Sequence, residues 1–299
     1  MIQNYFTEIQ QWVDRKKLTQ LEQKRLTKDI EAVVSRMKKK EYQKGGFTTN
    51  VFDVPDRTRE FYIYLEFYCH LGKTWASLLR EIDMSHCKEV VDLCPGYAPK
   101  IELGLFYAGY TGKVILLDED THAMTELIKF LDLFKPEFQL QKKKINLFGR
   151  LRKSYPLVLG NHIIDDLVIY FFAQKFGLTL TELYEKEGTF SNLWQKILSQ
   201  PKAHLDEIFP GVLNIFHTIV AERGWLILSH YKSYMERLLD LNAATQFNRR
   251  LFKKLIKALC QQGFILHKEI PLRASQKYKG HFGPNQCAVL QRLTPNRNV

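Results

Sequence analysis

The spacing of hydrophobic and polar residues changes along this chain, and each change marks an element. Over residues 2–44, Phe6, Ile9 and Val13, then Ile30, Val33, Val34 and Met37, recur three or four apart among lysines and glutamines. That spacing predicts an amphipathic helix, ended by Gly45-Gly46. A loop with Asn50, Asp53, Pro55 and Asp56 follows. From about Thr58 to Ile82 a second helix is predicted, with Phe61, Tyr64, Tyr68, Leu71, Trp75 and Leu78 on a broad apolar face. At Glu89 the pattern shortens. Val90 and Val91 open an apolar strand, Asp92 to Pro99 form a turn of small residues, and Ile101, Leu105 and Tyr107 take roughly helical spacing. Val114 to Leu117 then make a second strand that ends in Asp118. The result is a strand, turn, helix and strand in close succession.

The remaining chain continues the alternation. Asp120 or Thr121 is placed to cap a helix with Met124, Leu127, Ile128 and Leu131 inward, and Pro136 ends it. A third strand is expected from Phe138 to Leu140 and on toward Ile145. A fourth, through Pro156 to Leu159, stops at Gly160-Asn161-His162. Residues 174–210 exceed what a plain unit needs. There Thr179 and Glu182 have capping-box spacing, Ser191 is placed to cap a short helix, and Pro201 and Pro210 punctuate the rest. Beyond them come a helix over Leu213 to Val220, a strand from Trp225 to Leu228, and a long helix from Tyr234 to Gln261. Strands over Phe264 to Leu272 and Gln286 to Leu293 close the pattern.

A turn of this kind sets backbone N–H groups and a helix N-terminus at the carboxyl end of a parallel strand, where open α/β sheets bind ligands. A dinucleotide turn needs three glycines, and Cys94, Gly96 and Pro99 stand at those positions. Asp92 at the lip of the turn would also repel a pyrophosphate. A cationic ligand without phosphate, such as S-adenosylmethionine, suits an acid there and a second acid, Asp118, for a ribose diol. An ordinary strand-to-helix turn is the alternative. At the end of the fourth strand, His162 is the candidate general base, because an imidazole with an unperturbed pKa of ~6.5 accepts a proton near neutrality. A structural histidine at a helix start is the other reading.

Asp92-Leu93-Cys94-Pro95-Gly96-Tyr97-Ala98 resembles the D-x-G-x-G-x-G turn of class I S-adenosylmethionine-dependent methyltransferases, with Cys94 and Ala98 where glycine is usual. The resemblance implies an α/β, Rossmann-like, doubly wound mixed seven-stranded sheet with a reversed last strand. To this is added a helical N-terminal extension over residues 1–86, which would cover the pocket of a catalytic domain at 87–299 with an insertion at about 174–210. It also implies S-adenosylmethionine as cofactor. Asp92, Cys94, Gly96 and Ala98 would hold its methionine part, Asp118 with Glu119 the ribose, and Asn146 with Leu147 the adenine. Asn161 and His162 would line the edge where the methyl moves, touching cofactor and acceptor, and His230 and Tyr231 would contact the acceptor.

Composition narrows the setting. The 299 residues are 45% hydrophobic and 25% charged, the usage of a globular domain. No apolar run approaches the roughly 18 residues of a membrane span, and the first residues lack a signal-peptide pattern, so a cytoplasmic location is expected. Five scattered cysteines and nine dispersed histidines predict neither disulfides nor a metal site. The net charge of +12, with clusters at Lys38 to Lys40, Lys142 to Lys144, Arg150 to Lys153 and Arg249 to Lys257, favours anionic partners without choosing among them. The reading that results is methyl transfer to oxygen or nitrogen of a small organic acceptor. Its alternatives are an RNA or protein methyltransferase that uses the basic surface, and a noncatalytic scaffold.

Overall fold

The computed structural model describes residues 68–294, except 70, 133, 180–181, 184–186, 233–235, 237–238 and 278–285. The helix expected over 2–44, and the first half of the next with Tyr64, lie outside the described residues, as does most of the expected pocket cover.

Seven strands form one sheet in the order β3-β2-β1-β4-β5-β7-β6. β1 (Glu89–Leu93), β2 (Lys113–Asp118), β3 (Gln139–Lys144), β4 (Tyr155–Asn161) and β5 (Val220–Ser229) run parallel. β7 (Cys287–Arg292) lies antiparallel between β5 and β6 (Phe264–Leu266). This is the mixed seven-stranded sheet with a reversed last strand. Alternation along the central strands feeds two cores. Val90, Val114 and Leu116 face one side, while Val91, Leu93, Ile115 and Leu117 face the other.

On the first side pack α1 (helical at 68–69 and 71–79), α2 (Lys100–Ala108), α3 (Thr121–Leu131) and α8 (Glu269–Lys277). On the second pack α4 (Ile163–Lys175), α5 (Glu187–Ser199), α6 (Pro201–Ile219) and α7 (Asn242–Gln261). Helices on both faces make the sheet doubly wound. The crossing of α1 and α2 depends on two missing side chains. A Cβ on Gly104 would sit 2.4 Å from Trp75 Cβ, and one on Gly72 2.6 Å from Leu103 Cβ. The absence of both lets the buried Trp75 reach the sheet edge.

Several expected elements differ in the structure. Pro210 lies inside the 19-residue α6, which starts with Pro201 in its first turn, so only the first of the two prolines breaks the chain there. Ser191 falls within α5 and caps nothing. The sixth strand stops at Leu266, and the rest of the expected strand is α8, because Ile270 and Ala274, four apart, both face the core while Leu272 is exposed. α7 begins only at Asn242, after a turn in which Asp240 is left-handed. The capping box is present: Thr179 N–H and Oγ donate to Glu182, and Glu182 N–H donates to Thr179 Oγ.

Candidate active site

The turn after β1 is drawn together by the acid that ends β2. Asp118 Oδ2 accepts from Gly96 N–H at 3.2 Å and its Oδ1 from Asp120 N–H at 3.0 Å. Cys94 N–H donates to Leu117 O at 2.8 Å. Cys94 and Gly96 are both left-handed, at φ 51° and 59°, so one of the two sites that favour glycine carries a side chain instead. Ala98 is half-buried, and Pro99 stands before α2 without capping it by a side chain. Asp120 caps α3, accepting from His122 and Ala123 N–H.

Acids gather around this turn. Asp92 and Glu102 are buried, and burial raises both carboxyls; contact with Glu102 pushes Asp92 further up, while the same contact pulls Glu102 part of the way back down. Asp118 is raised by burial despite its two N–H donors. Burial also lifts Asp165 to about 7, and Asp166, beside Asp165 and Asp118, well above the usual range. Among the charges acting on Asp92, Glu102, Asp165 and Asp166, Lys100 is the opposing cation. The Cys94 thiol is pushed up by burial and by four of these acids, so it stays protonated.

At the neighbouring strand ends, Asn161 pairs in register with Ser229. Its Oδ1 accepts from Trp75 Nε1 at 3.1 Å and Ser229 Oγ at 3.0 Å, and its Nδ2 donates to Tyr231 OH at 2.9 Å. Asn161 thus ties α1 to β4 and β5. His162 is next, left-handed at φ 64° and at the N-cap of α4. A left-handed non-glycine at a strand end is strained, and such strain collects at functional sites. Its Nδ1 lies 3.0 Å from Asp165 Oδ1, and its ring lies 4.6 Å from that of Tyr231 and 5.5 Å from that of His230. His230 is buried, and burial followed by the charges of His162 and Arg249 lowers it to about 3. It is therefore neutral, and neither ring nitrogen has a hydrogen-bond partner among the described residues.

Beyond β3, Asn146 is exposed and its Oδ1 accepts from Phe148 N–H at 2.9 Å, which makes a local turn. Leu147 is buried, and Phe148 stacks on Tyr170 of α4 at 6.2 Å and 15°. Glu119 hydrogen-bonds the Tyr170 hydroxyl, which also accepts from Gln174 Nε2 at 2.7 Å.

All the expected site residues thus lie at the carboxyl edge of β1 to β5 or in the loops leaving it. Glu102, Asp165 and Tyr170 were not anticipated at the site, and neither was the bond from Trp75 to Asn161. Only Asp165 left a trace in sequence, three residues after His162 on the same helix face.

The strand order and the reversed β7 decide the fold. The sheet has the strand order and reversed strand expected of the Rossmann-like, class I methyltransferase fold. No protein-family model and no curated protein sequence matches the chain. Solved structures to which it is similar include an arsenic(III) S-adenosylmethionine methyltransferase from Chlamydomonas reinhardtii, at 12% identity over 71% of this chain and 65% of that one, with a TM-score of 0.35. Mitomycin 7-O-methyltransferase is similar at 11% identity over 82% and 59%, with a TM-score of 0.44. A putative O-methyltransferase from Nostoc punctiforme is similar at 11% over 90% and 68%, with a TM-score of 0.46. The chain spans less than two thirds of the length of the first two. At such distance the likeness says nothing about what this chain acts on.

Proposed function

We propose that this chain is an S-adenosylmethionine-dependent methyltransferase that transfers methyl to an oxygen or nitrogen of a small organic acceptor. One observation carries the reading: in a chain of net charge +12, the turn at the sheet edge is surrounded by buried acids opposed, among the described residues, by Lys100. Such a field favours a cationic nucleoside and disfavours a pyrophosphate. The residues fit the cofactor chemically. Asp92 Oδ1 is a buried acceptor without a donor among the described residues, suited to an ammonium, and Asp118 keeps lone pairs for a diol beyond its bonds from Gly96 and Asp120 N–H.

When bound, S-adenosylmethionine supplies an activated methyl, so the protein's task is to position the acceptor and remove its proton. With Asp165 Oδ1 3.0 Å from its Nδ1, His162 presents Nε2 as the base. Asn161 fixes the strand end from which His162 projects, and its amide stands beside the transfer edge. Neutral His230, whose two ring nitrogens have no hydrogen-bond partner among the described residues, and Tyr231 supply polar contacts for an acceptor. Gly96 with Cys94 and Ala98 would support the methionine part, and Glu119, Asn146 and Leu147 the nucleoside.

The test is calorimetric titration with S-adenosylmethionine and S-adenosylhomocysteine, with NAD as control. Binding of the first two and none of NAD is expected, and silence toward all three would leave a noncatalytic scaffold. His162→Ala should cut turnover while cofactor affinity stays within about twofold; full activity in that variant would remove the histidine from the mechanism.

A further inference from the structure

Asp92 and Glu102 present an electrostatic problem that the bare protein cannot solve with both acids ionised. Asp92, at the end of β1, is 2% exposed, and Glu102, in the first turn of α2, is fully buried. Their carboxyl groups lie within hydrogen-bonding reach of each other. Asp92 Oδ1 and both Glu102 oxygens find no hydrogen-bond donor in proper geometry among the described residues. Glu102's own backbone N–H is nearby but misaligned. The charges facing the pair are Lys100 on α2, which opposes them, and Asp118 on β2, which adds to them. Asp165 and Asp166 on α4 face the same turn, and burial makes both hold their protons more tightly than usual. Two carboxylates in contact and out of water cannot both ionise without a cation between them.

With S-adenosylmethionine as the ligand, as proposed above, we propose that Asp92 and Glu102 share one proton in the ligand-free protein and release it when the cofactor's cationic end binds. Glu102 is then a positioning residue: added to burial, its contact keeps Asp92 neutral until a cation arrives, and it links cofactor affinity to pH. The atoms balance simply. The proton bridging the two carboxyls leaves to solvent, and the ligand's positive charge takes its place. Linkage makes affinity rise with pH, by up to ~tenfold per pH unit over the range in which the pair holds its proton.

Two measurements test this. Titration with S-adenosylmethionine near neutral pH, in two buffers of different ionisation enthalpy, should give release of about one proton per cofactor bound. Glu102→Gln should still bind but release almost none, because its amide donates to Asp92 and leaves that acid ionised beforehand. Binding to the wild type without proton release, or equal release in the variant, would overturn the proposal while leaving the cofactor reading intact. Failure of the wild type to bind at all would instead sink the cofactor reading, and with it the release step. The shared proton is read separately, in ligand-free protein, as the infrared carbonyl stretch of a protonated carboxyl that disappears in both Glu102→Gln and Asp92→Asn. Because Asp165 and Asp166 also hold protons tightly, only the difference between wild type and variants counts. A wild-type spectrum unchanged by either substitution would rule out the sharing.

Discussion

Asp118 shows how one side chain serves both structure and binding. Its two oxygens hold Gly96 and Asp120 N–H, so the carboxylate is oriented before any ligand arrives. Asp118→Ala removes a charged acceptor worth about 2 kcal/mol or more, and should lower cofactor affinity more than tenfold in calorimetry. The loss of its two internal bonds should also lower the melting temperature. Asp165 gives a pH prediction with a definite sign. Burial raises it from 3.8 to about 7, so the native protein holds a proton that the unfolded chain has already lost between those values. Its stabilising contribution is therefore complete below about pH 4 and disappears as pH rises through about 7. Thermal unfolding of Asp165→Asn should gain on the wild type across that window. Turnover by the wild type should rise through about pH 7 as Asp165, beside His162, loses its proton, and this rise should be absent in the variant.

At the scale of elements, the close approach of α1 and α2 is the most exacting packing event. Gly104→Ala would put a methyl 2.4 Å from Trp75 Cβ, backbone-anchored on both sides, so the helices must separate. A loss of about 1–3 kcal/mol is expected in urea unfolding, as for other overpacked cores. Asn161 is the polar counterpart. Asn161→Leu strands the buried Trp75 Nε1 and Ser229 Oγ, and should cost about 2–4 kcal/mol. Element boundaries were legible where local chemistry sets them. Asp120, Thr179 and Glu182 announce helix starts because caps bond within three residues. α8 was not legible. Its Ile270 and Ala274 spacing is weak beside the strand-like run before it, and the core contact alone decides between them.

Over the whole molecule, charge is sorted. Arg249, Arg250, Lys253 and Lys257 are exposed along α7, and Lys142 and Lys144 along β3, while Asp92, Asp118, Asp165 and Asp166 gather around Cys94 at the carboxyl edge. With a small acceptor, the chemistry does not depend on Lys253 and Lys257 of α7. Lys253→Glu combined with Lys257→Glu should leave turnover within about twofold, measured with whichever small acceptor is found. Activity on RNA that falls steeply with salt, and falls again in this double variant, would move the assignment to the nucleic-acid alternative.

The sequence by itself determined the period of each central element, the acid and small residues of the first turn, and the acid ending the second strand. These are local matters: a strand's alternation, a cap, or a turn is settled by residues a few positions apart. Only the tertiary structure decided which polar groups meet. Trp75 and Asn161 are 86 residues apart, and Asn161 and Ser229 are 68 apart. Glu102 reads as an ordinary first-turn acid on α2 until that helix is laid against β1. Its burial, and its contact with Asp92, follow from packing over the sheet, and packing brings together residues that no local spacing relates.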